Sequence, residues 1–113
     1  MWQGIDKRRF PRVNYPCKVA VVRSGQSEQF LTRTENIGSG GVCVILSKSL
    51  DKFCPVELTV YLNDGHPPLE SDGRVVWVVK HKETFDTGVE FINIKKEDVA
   101  RIERIVQECL KTR

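Results

Sequence analysis

The sequence lacks a long apolar run and a strong excess of charge of one sign. No stretch approaches the ~20 apolar residues of a membrane-spanning helix, and the opening MWQGIDKRRF has no apolar segment of the kind found in signal peptides. The 18 Lys and Arg against 15 Asp and Glu give a net charge of +3, which is too small for general nucleic-acid binding through bulk charge. We therefore expect a cytoplasmic chain without membrane insertion, in which any anion site is local.

The sequence also lacks a cysteine pattern. Cys17, Cys43, Cys54 and Cys109 are separated by 26, 11 and 55 residues, with no C-x-x-C pair and no histidine at zinc-ligand spacing. This spacing favours reduced thiols in or near a hydrophobic core over a metal site or a disulfide framework.

Catalytic motifs are missing as well. No G-x-S-x-G, H-E-x-x-H or phosphate-loop pattern occurs, and neither His66 nor His81 stands beside a candidate nucleophile. The sequence predicts a protein that is not an enzyme and has no cofactor.

What is present is a series of short β-rich segments. Six segments with strand character are separated by turn residues: CKVAVVRS, EQFLTRTENI, GVCVILS, PVELTVYLN, GRVVWVVKH and TGVEFIN. In the first and the fourth of these segments, apolar residues alternate with other residues. At 113 residues the chain has the size of one domain. The prediction is a mainly β fold, a six-stranded antiparallel β-barrel.

The periodicity changes near the C-terminus. From Asp98 onward, apolar residues recur at helical spacing, at Val99, Ile102, Val106, Cys109 and Leu110. This predicts an amphipathic helix, with Asn93 as its N-cap and Glu97 and Asp98 in its first turn. Its apolar face is expected to pack on the barrel; presentation of that face to a partner is the alternative.

Two segments fit neither period. KRRFPRV places four cations in seven positions, and a solvated basic tail is the simplest reading of it. NIGSGG precedes a strand rather than a helix, so it is not a phosphate-binding loop. It predicts a tight reversal between strands, where a glycine takes positive φ or allows a close approach to the backbone. A plain turn satisfies the same pattern.

Taken together, the two segments resemble the motifs of the PilZ domain family. Arg8 and Arg12 form R-x-x-x-R in RRFPR, and about 25 residues later Asn36 and Gly41 occupy the ends of the pattern [D/N]-x-S-x-x-G. GRVVW and TGVEF are similar to later strands of the family, so the resemblance covers nearly the whole chain.

The resemblance implies a receptor for the bacterial second messenger cyclic di-GMP, held between an N-terminal arm and the barrel. A guanidinium grips a phosphate or the edge of a guanine with paired hydrogen bonds, and an asparagine accepts from the Watson–Crick edge of guanine. The implied site consists of Arg8, Arg9, Arg12, Asn36, Gly38, Ser39 and Gly41. Lys7, beside the first arginine, would fit a site that holds two ligand molecules.

Gly38 departs from the family pattern, which has serine at this position. Ser39 is one residue later and would point to the opposite face of an extended strand. A lost neutral hydrogen bond is worth roughly 1 kcal/mol, so weakened binding is expected, by less than about tenfold. The alternative is a degenerate PilZ domain that binds no nucleotide and acts as a protein-interaction module.

A different functional class is a small barrel that binds single-stranded RNA through aromatics and a basic groove. Trp2, Phe10, Tyr15 and Tyr61 do not form a stripe along one strand pair, which disfavours it.

The predicted organisation is an arm over residues 1–14 and a barrel with its helix over residues 15–113. We expect the arm to be mobile without ligand, to close on cyclic di-GMP, and to signal to a separate, unidentified protein.

Overall fold

A computed structural model describes residues 12–111, with the backbone alone at Arg12 and Glu35. Seven strands and one helix follow one another along the chain: β1 (Arg12–Val13), β2 (Lys18–Arg23), β3 (Gln29–Gly38), β4 (Gly41–Leu46), β5 (Pro55–Tyr61), β6 (Leu69–His81), β7 (Thr84–Ile92) and α1 (Lys96–Lys111).

Six of the strands close into a barrel. The strand order is β1-β3-β2-β5-β6-β7-β4, and a further pairing of β3 with β4 closes the six strands from β3 to β4 into a ring, with β1 attached to β3. Every pairing is antiparallel. The predicted six-stranded antiparallel barrel with a C-terminal helix is confirmed. The two-residue β1 was not predicted; it attaches the end of the segment assigned to the arm to β3, and Val13 is buried.

Strand alternation fills the barrel interior. Val19 and Val21 on β2 are fully buried, as are Val56, Leu58 and Val60 on β5. These are the inward positions that the period-2 pattern predicted. Truncating a buried leucine such as Leu58 to alanine typically costs about 2–5 kcal/mol, so this interior carries much of the stability.

β6 and β7 begin earlier than the sequence indicated. β6 starts at Leu69, because residues 69–74 pair with β5, and β7 starts at Thr84, which pairs with His81. The turn between the two strands therefore consists of Lys82 and Glu83 alone. The inward positions of the first part of β6 are Leu69, Ser71 and Gly73, and only the first of them is a large apolar residue. A pattern that relies on apolar alternation therefore misses this part of the strand.

The helix begins later than predicted, so Asn93 is not its N-cap. Lys96 is the first helical residue, and the carbonyl of Lys95 accepts hydrogen bonds from the amides of Asp98 and Val99. Asn93 has a φ of 57°, a left-handed conformation that asparagine tolerates, and it serves the preceding turn.

The buried face of α1 is close to the predicted stripe. Ile102 and Val106 are buried, as is Ile105, which the stripe omitted, whereas Leu110 is 43% exposed. The helix packs near β1 and β3. Among the described residues, no helix has the length and apolar character needed to span a bilayer.

Arg101 fixes α1 to the loop between β5 and β6. Its guanidinium donates to the carboxylate of Asp64, to the carbonyl of Pro67 at 2.8 Å and to Asp98 at 3.2 Å. Arg101 is not part of the apolar stripe that the sequence predicted. Its side chain is only 13% exposed, because the loop covers it.

The cysteines have the predicted environment. Cys17 and Cys43 are buried and Cys54 and Cys109 are half-buried, and no disulfide joins cysteines in the described chain.

Candidate functional site

A β-bulge in β3 decides which way Asn36 faces. Thr34 pairs with Val44 and Asn36 pairs with Cys43, so Glu35 is an extra residue in β3. Thr34 and Ile37 are both buried although they are three positions apart. Asn36 consequently lies on the outer face of the barrel, where strict alternation from Thr34 would have turned it inward.

A second bulge lies in β6. Val75 pairs with Val89 and Trp77 pairs with Gly88, so Val76 is the extra residue. Val75 is fully buried. Trp77 therefore lies on the outer face. A β-bulge thus sets the direction of the Trp77 side chain, as it does for Asn36.

The two bulges place Asn36 and Trp77 at opposite ends of one cross-strand row. Asn36 pairs with Cys43, Cys43 with Gly88, and Gly88 with Trp77, across β3, β4, β7 and β6. We call these four residues the Asn36 row. Neighbouring strands are about 4.8 Å apart, so the row is about 14 Å long.

The indole of Trp77 lies over Gly88. A Cβ on Gly88 would come within 2.2 Å of Nε1 and 2.3 Å of Cε2 of Trp77, which is far closer than side chains pack. Glycine is thus required for the ring to lie across β7 toward β4. The aromatic surface extends along the row toward Asn36.

A parallel row lies beside it. Arg12 pairs with Gly38, Gly38 with Gly41, Gly41 with Glu90, and Glu90 with Arg74. We call this the Gly38 row. Arg74 donates from Nε to Oε2 of Glu90 at 2.7 Å, which closes one end with an ion pair.

Glycines make the two rows a shallow floor. Gly38 and Gly41 have no side chains to project, and the indole of Trp77 covers Gly88. Asn36 and the Glu90–Arg74 pair border this surface. A flat, partly aromatic surface of this kind suits a planar ligand.

The packing of β4 against β7 explains why residue 41 is a glycine. A Cβ at this position would lie 2.2 Å from the carbonyl oxygen of Val89 and 2.9 Å from Cα of Glu90. The close approach that the sequence predicted is therefore made by the backbone of β7. The reversal consists of Ser39 and Gly40, and the positive φ angles of described glycines occur elsewhere, at Gly25 and Gly65.

The side chain of Asn36 carries a buried acceptor. Its Oδ1 is buried and has no hydrogen-bond partner among the described residues. Buried polar groups nearly always have a partner, and an exception in a native structure calls for an explanation. A donor from a bound ligand would supply one.

A group of side-chain hydrogen bonds, which we call the polar strap, fixes the segment that leads from β1 to β2. Oγ1 of Thr34 donates to the carbonyl of Tyr15 at 2.6 Å and accepts from the amide of Cys17 at 3.1 Å. The hydroxyl of Tyr15 donates to the carbonyl of Leu62. Burial raises the pKa of the Tyr15 hydroxyl and of the Cys17 thiol, so both groups keep their protons at neutral pH. The strap holds β1 in place beside Gly38.

The predicted site residues are only partly brought together. Arg8 and Arg9 lie outside the described residues, and so does the side chain of Arg12, whose backbone ends the Gly38 row. Asn36, Gly38 and Gly41 share the outer face, and Ser39 is half-buried in the adjoining turn. No cluster of three or more potential metal ligands occurs within residues 12–111.

Trp77 and Gly88 were missed by the sequence analysis. VVWVV appears as an uninterrupted apolar run, and a bulge leaves no mark in such a run. The single tryptophan among four valines was the available signal, since a large ring fits poorly inside a small barrel.

Comparison with known proteins supports one family. The PilZ domain family matches residues 6–108. No curated protein sequence matches the chain. Several solved structures share the fold, although their sequence identity is low.

One is the inhibitor of motility MotI/DgrA of Bacillus subtilis, at a TM-score of 0.77 and 21% identity, covering 93% of this chain and 50% of that one. Escherichia coli YcgR in complex with c-di-GMP has a TM-score of 0.77 and 15% identity, covering 94% of this chain and 47% of that one. The MrkH–c-di-GMP complex of K. pneumonia has a TM-score of 0.77 and 18% identity, covering 93% of this chain and 53% of that one.

The chain thus spans about half the length of these three proteins. The match over residues 6–108, on a closed six-stranded barrel with a C-terminal helix, decides the assignment: the chain belongs to the PilZ domain family.

Proposed function

We propose that the chain is a receptor for cyclic di-GMP that binds the nucleotide on the outer face of the barrel, at the Asn36 and Gly38 rows. The observation that carries the proposal is the buried Oδ1 of Asn36, which has no hydrogen-bond partner among the described residues and lies in a row that ends in Trp77. The N–H groups on the Watson–Crick edge of a guanine would satisfy that oxygen.

Each part of the surface has a chemical role in this proposal. The indole of Trp77 offers a face on which a purine stacks, and Gly38 leaves the floor open beside it. Arg8 and Arg12 grip the phosphates or guanine edges through charge-assisted hydrogen bonds, with Arg9 assisting. Ser39 and Gly41 complete the barrel side. Two of the similar structures, those of YcgR and MrkH, were solved with c-di-GMP, which supports the same ligand for this chain.

The output is proposed to be a change of the N-terminal arm. β1 is anchored beside Gly38, so arginines that close on the nucleotide would reposition the residues before it against the barrel. A partner protein would then recognise a surface that exists only in the bound state.

Titration calorimetry with cyclic di-GMP tests the proposal. We expect saturable binding to the full chain and no detectable binding to Arg12→Ala, which loses a charge-assisted bidentate contact. Arg104→Ala, an exposed arginine on α1, is the matched control and is expected to bind normally.

Absence of binding to the folded wild-type chain would favour the alternative, a PilZ domain that acts only as a protein-interaction module. The observation that favours this alternative is Gly38 in place of the serine of the motif. Unchanged affinity in Arg12→Ala would refute the site assignment.

A further inference from the structure

The outer face formed by β2, β3 and β5 carries a second surface, which involves the first half of β3, whereas the Asn36 row and the Gly38 row involve its second half. Leu31 on β3 is 66% exposed, more than any other large apolar side chain in the described part of the protein. It faces outward, because Phe30 on the same strand packs against the core. An exposed leucine on its own needs no explanation, but its surroundings are unusual.

Two cations lie directly opposite each other beside Leu31. Lys18 pairs with Arg33 across β2 and β3, and both are exposed. Like charges at facing positions of a sheet repel each other. No carboxylate forms an ion pair with either of them among the side chains that the structure describes.

Tyr61 completes the patch. Nζ of Lys18 lies 5.0 Å from the centroid of the Tyr61 ring, and the two residues are paired across β2 and β5. The aromatic ring supports the ammonium without neutralising it. The surface therefore combines an exposed leucine, an aromatic ring and two positive charges that have no ion-pair partner among the described side chains.

Hollows flank Leu31 on both sides. One, of about 410 Å³, is lined in part by Lys18, Leu31 and Arg33. The other, of about 430 Å³, lies where β3 and β4 separate, since their pairing begins only at Thr34. An apolar side chain of a partner could therefore pack against either flank of Leu31.

We propose that Lys18, Leu31, Arg33 and Tyr61 form a docking surface for an acidic segment of a partner protein that carries an apolar side chain between its carboxylates. Carboxylates would relieve the repulsion between Lys18 and Arg33, and the apolar side chain would cover Leu31. A nucleic acid satisfies only the first requirement, so the exposed leucine favours a protein. This proposal specifies the kind of segment through which the partner protein of the proposed function would bind. It does not require that the chain bind cyclic di-GMP.

The test uses synthetic peptides and the isotopically labelled full chain. The probe is a peptide rich in aspartate and glutamate with a central phenylalanine; one matched peptide has serine in place of phenylalanine, and another has lysine in place of the acids. We expect amide chemical shifts to move at Lys18, Leu31 and Arg33 with the probe. Both matched peptides are expected to bind at least about tenfold more weakly.

Variants locate the effect. Arg33→Glu is expected to weaken binding of the probe by about tenfold or more, and Leu31→Ala by several-fold. Lys80→Glu makes the same charge change on an exposed lysine of β6 and is expected to have little effect. Arg33→Gln provides a milder second variant if thermal melting shows that Arg33→Glu does not fold.

Three results would overturn the proposal: shift changes that lie elsewhere, equal losses in Arg33→Glu and Lys80→Glu, or a short DNA duplex that binds this face more tightly than the probe. Each titration is repeated with cyclic di-GMP. A chain that binds the probe but no nucleotide would refute the receptor function and leave the docking surface intact, and the reverse result would do the opposite.

Discussion

Arg101 holds both carboxylate oxygens of Asp64, with distances of 2.9 Å from Nε to Oδ2 and 2.9 Å from Nη2 to Oδ1. The pair joins the C-terminal helix to a loop 37 positions earlier in the chain. Their side chains are only 13% and 16% exposed, so solvent screens the interaction weakly.

Removal of Arg101 should therefore loosen α1. We predict that Arg101→Ala lowers the free energy of unfolding by about 2–4 kcal/mol, since it leaves Asp64 and the carbonyl of Pro67 without their donor. Urea denaturation measures the change. Arg104→Ala, on the exposed side of the same helix, should alter stability by less than about 0.5 kcal/mol; similar losses in the two variants would show that the ion pair is unimportant.

The same pair predicts a loss of stability in acid. The hydrogen bonds from Arg101 lower the pKa of Asp64 from 3.8 to about 2. Because the folded-state pKa lies below the unfolded one, the stabilisation is fully present above about pH 5 and disappears as the pH falls from about 4 to about 2. The contribution is about 2 kcal/mol.

Denaturation of the wild type and of Asp64→Asn between pH 2 and pH 7 tests this. The difference between their unfolding free energies should shrink below about pH 4. A difference that stays constant down to pH 2 would contradict the assignment of the low pKa to this carboxylate.

Gly38→Ser should strengthen cyclic di-GMP binding by up to about 1 kcal/mol, because it restores the hydroxyl of the motif. Gly38 lies in a regular strand pair between Arg12 and Gly41, and it is not among the described glycines with positive φ. Backbone strain is therefore not expected to offset the gain. Calorimetry combined with thermal melting checks both points; weaker binding at unaltered stability would mean that the role of this position is different.

Gly88→Ala should disturb the proposed nucleotide site by displacing Trp77. The added Cβ would collide with the indole of Trp77, so the ring must move off β7. We predict about tenfold weaker nucleotide binding and a shifted tryptophan fluorescence spectrum. Val79→Ala, two positions along β6 and exposed, is the control; full affinity in Gly88→Ala would separate Trp77 from the ligand site.

Amide hydrogen exchange tests the proposed movement of the arm. We predict that amide exchange across residues 3–12 slows when cyclic di-GMP is added. Exchange across residues 56–62, which cover most of β5 and the residue after it, should change little. Equal rates with and without ligand across residues 3–12 would assign the output to another surface, with α1 as the next candidate.

The sequence allowed much of the fold to be predicted, because simple alternation governs its regular strands. Val19, Val21, Leu58 and Val60 are buried where period 2 placed them. Helical period likewise located the core face of α1. The predicted start of α1 was wrong, because asparagine is a common N-cap residue type but Asn93 adopts the left-handed conformation of a turn residue.

The site was less accessible to sequence reasoning. Asn36, Gly38 and Gly41 came from a family motif rather than from a physical pattern, and the motif does not explain why Gly41 must be glycine. That reason is the carbonyl of Val89, which is about 48 residues away in the chain. Trp77 was missed because its direction depends on a bulge that local composition does not encode.

The two bulges have a consequence for protein engineering. Glu35 and Val76 are each one residue more than the opposite strand requires, and each reverses the facing of the residues that follow. A designer who transplanted NIGSGG and the tryptophan into another six-stranded barrel, but matched the strand lengths evenly, would bury the asparagine and the indole in its interior. The portable unit is therefore the pair of motifs together with one extra residue in each of the two strands.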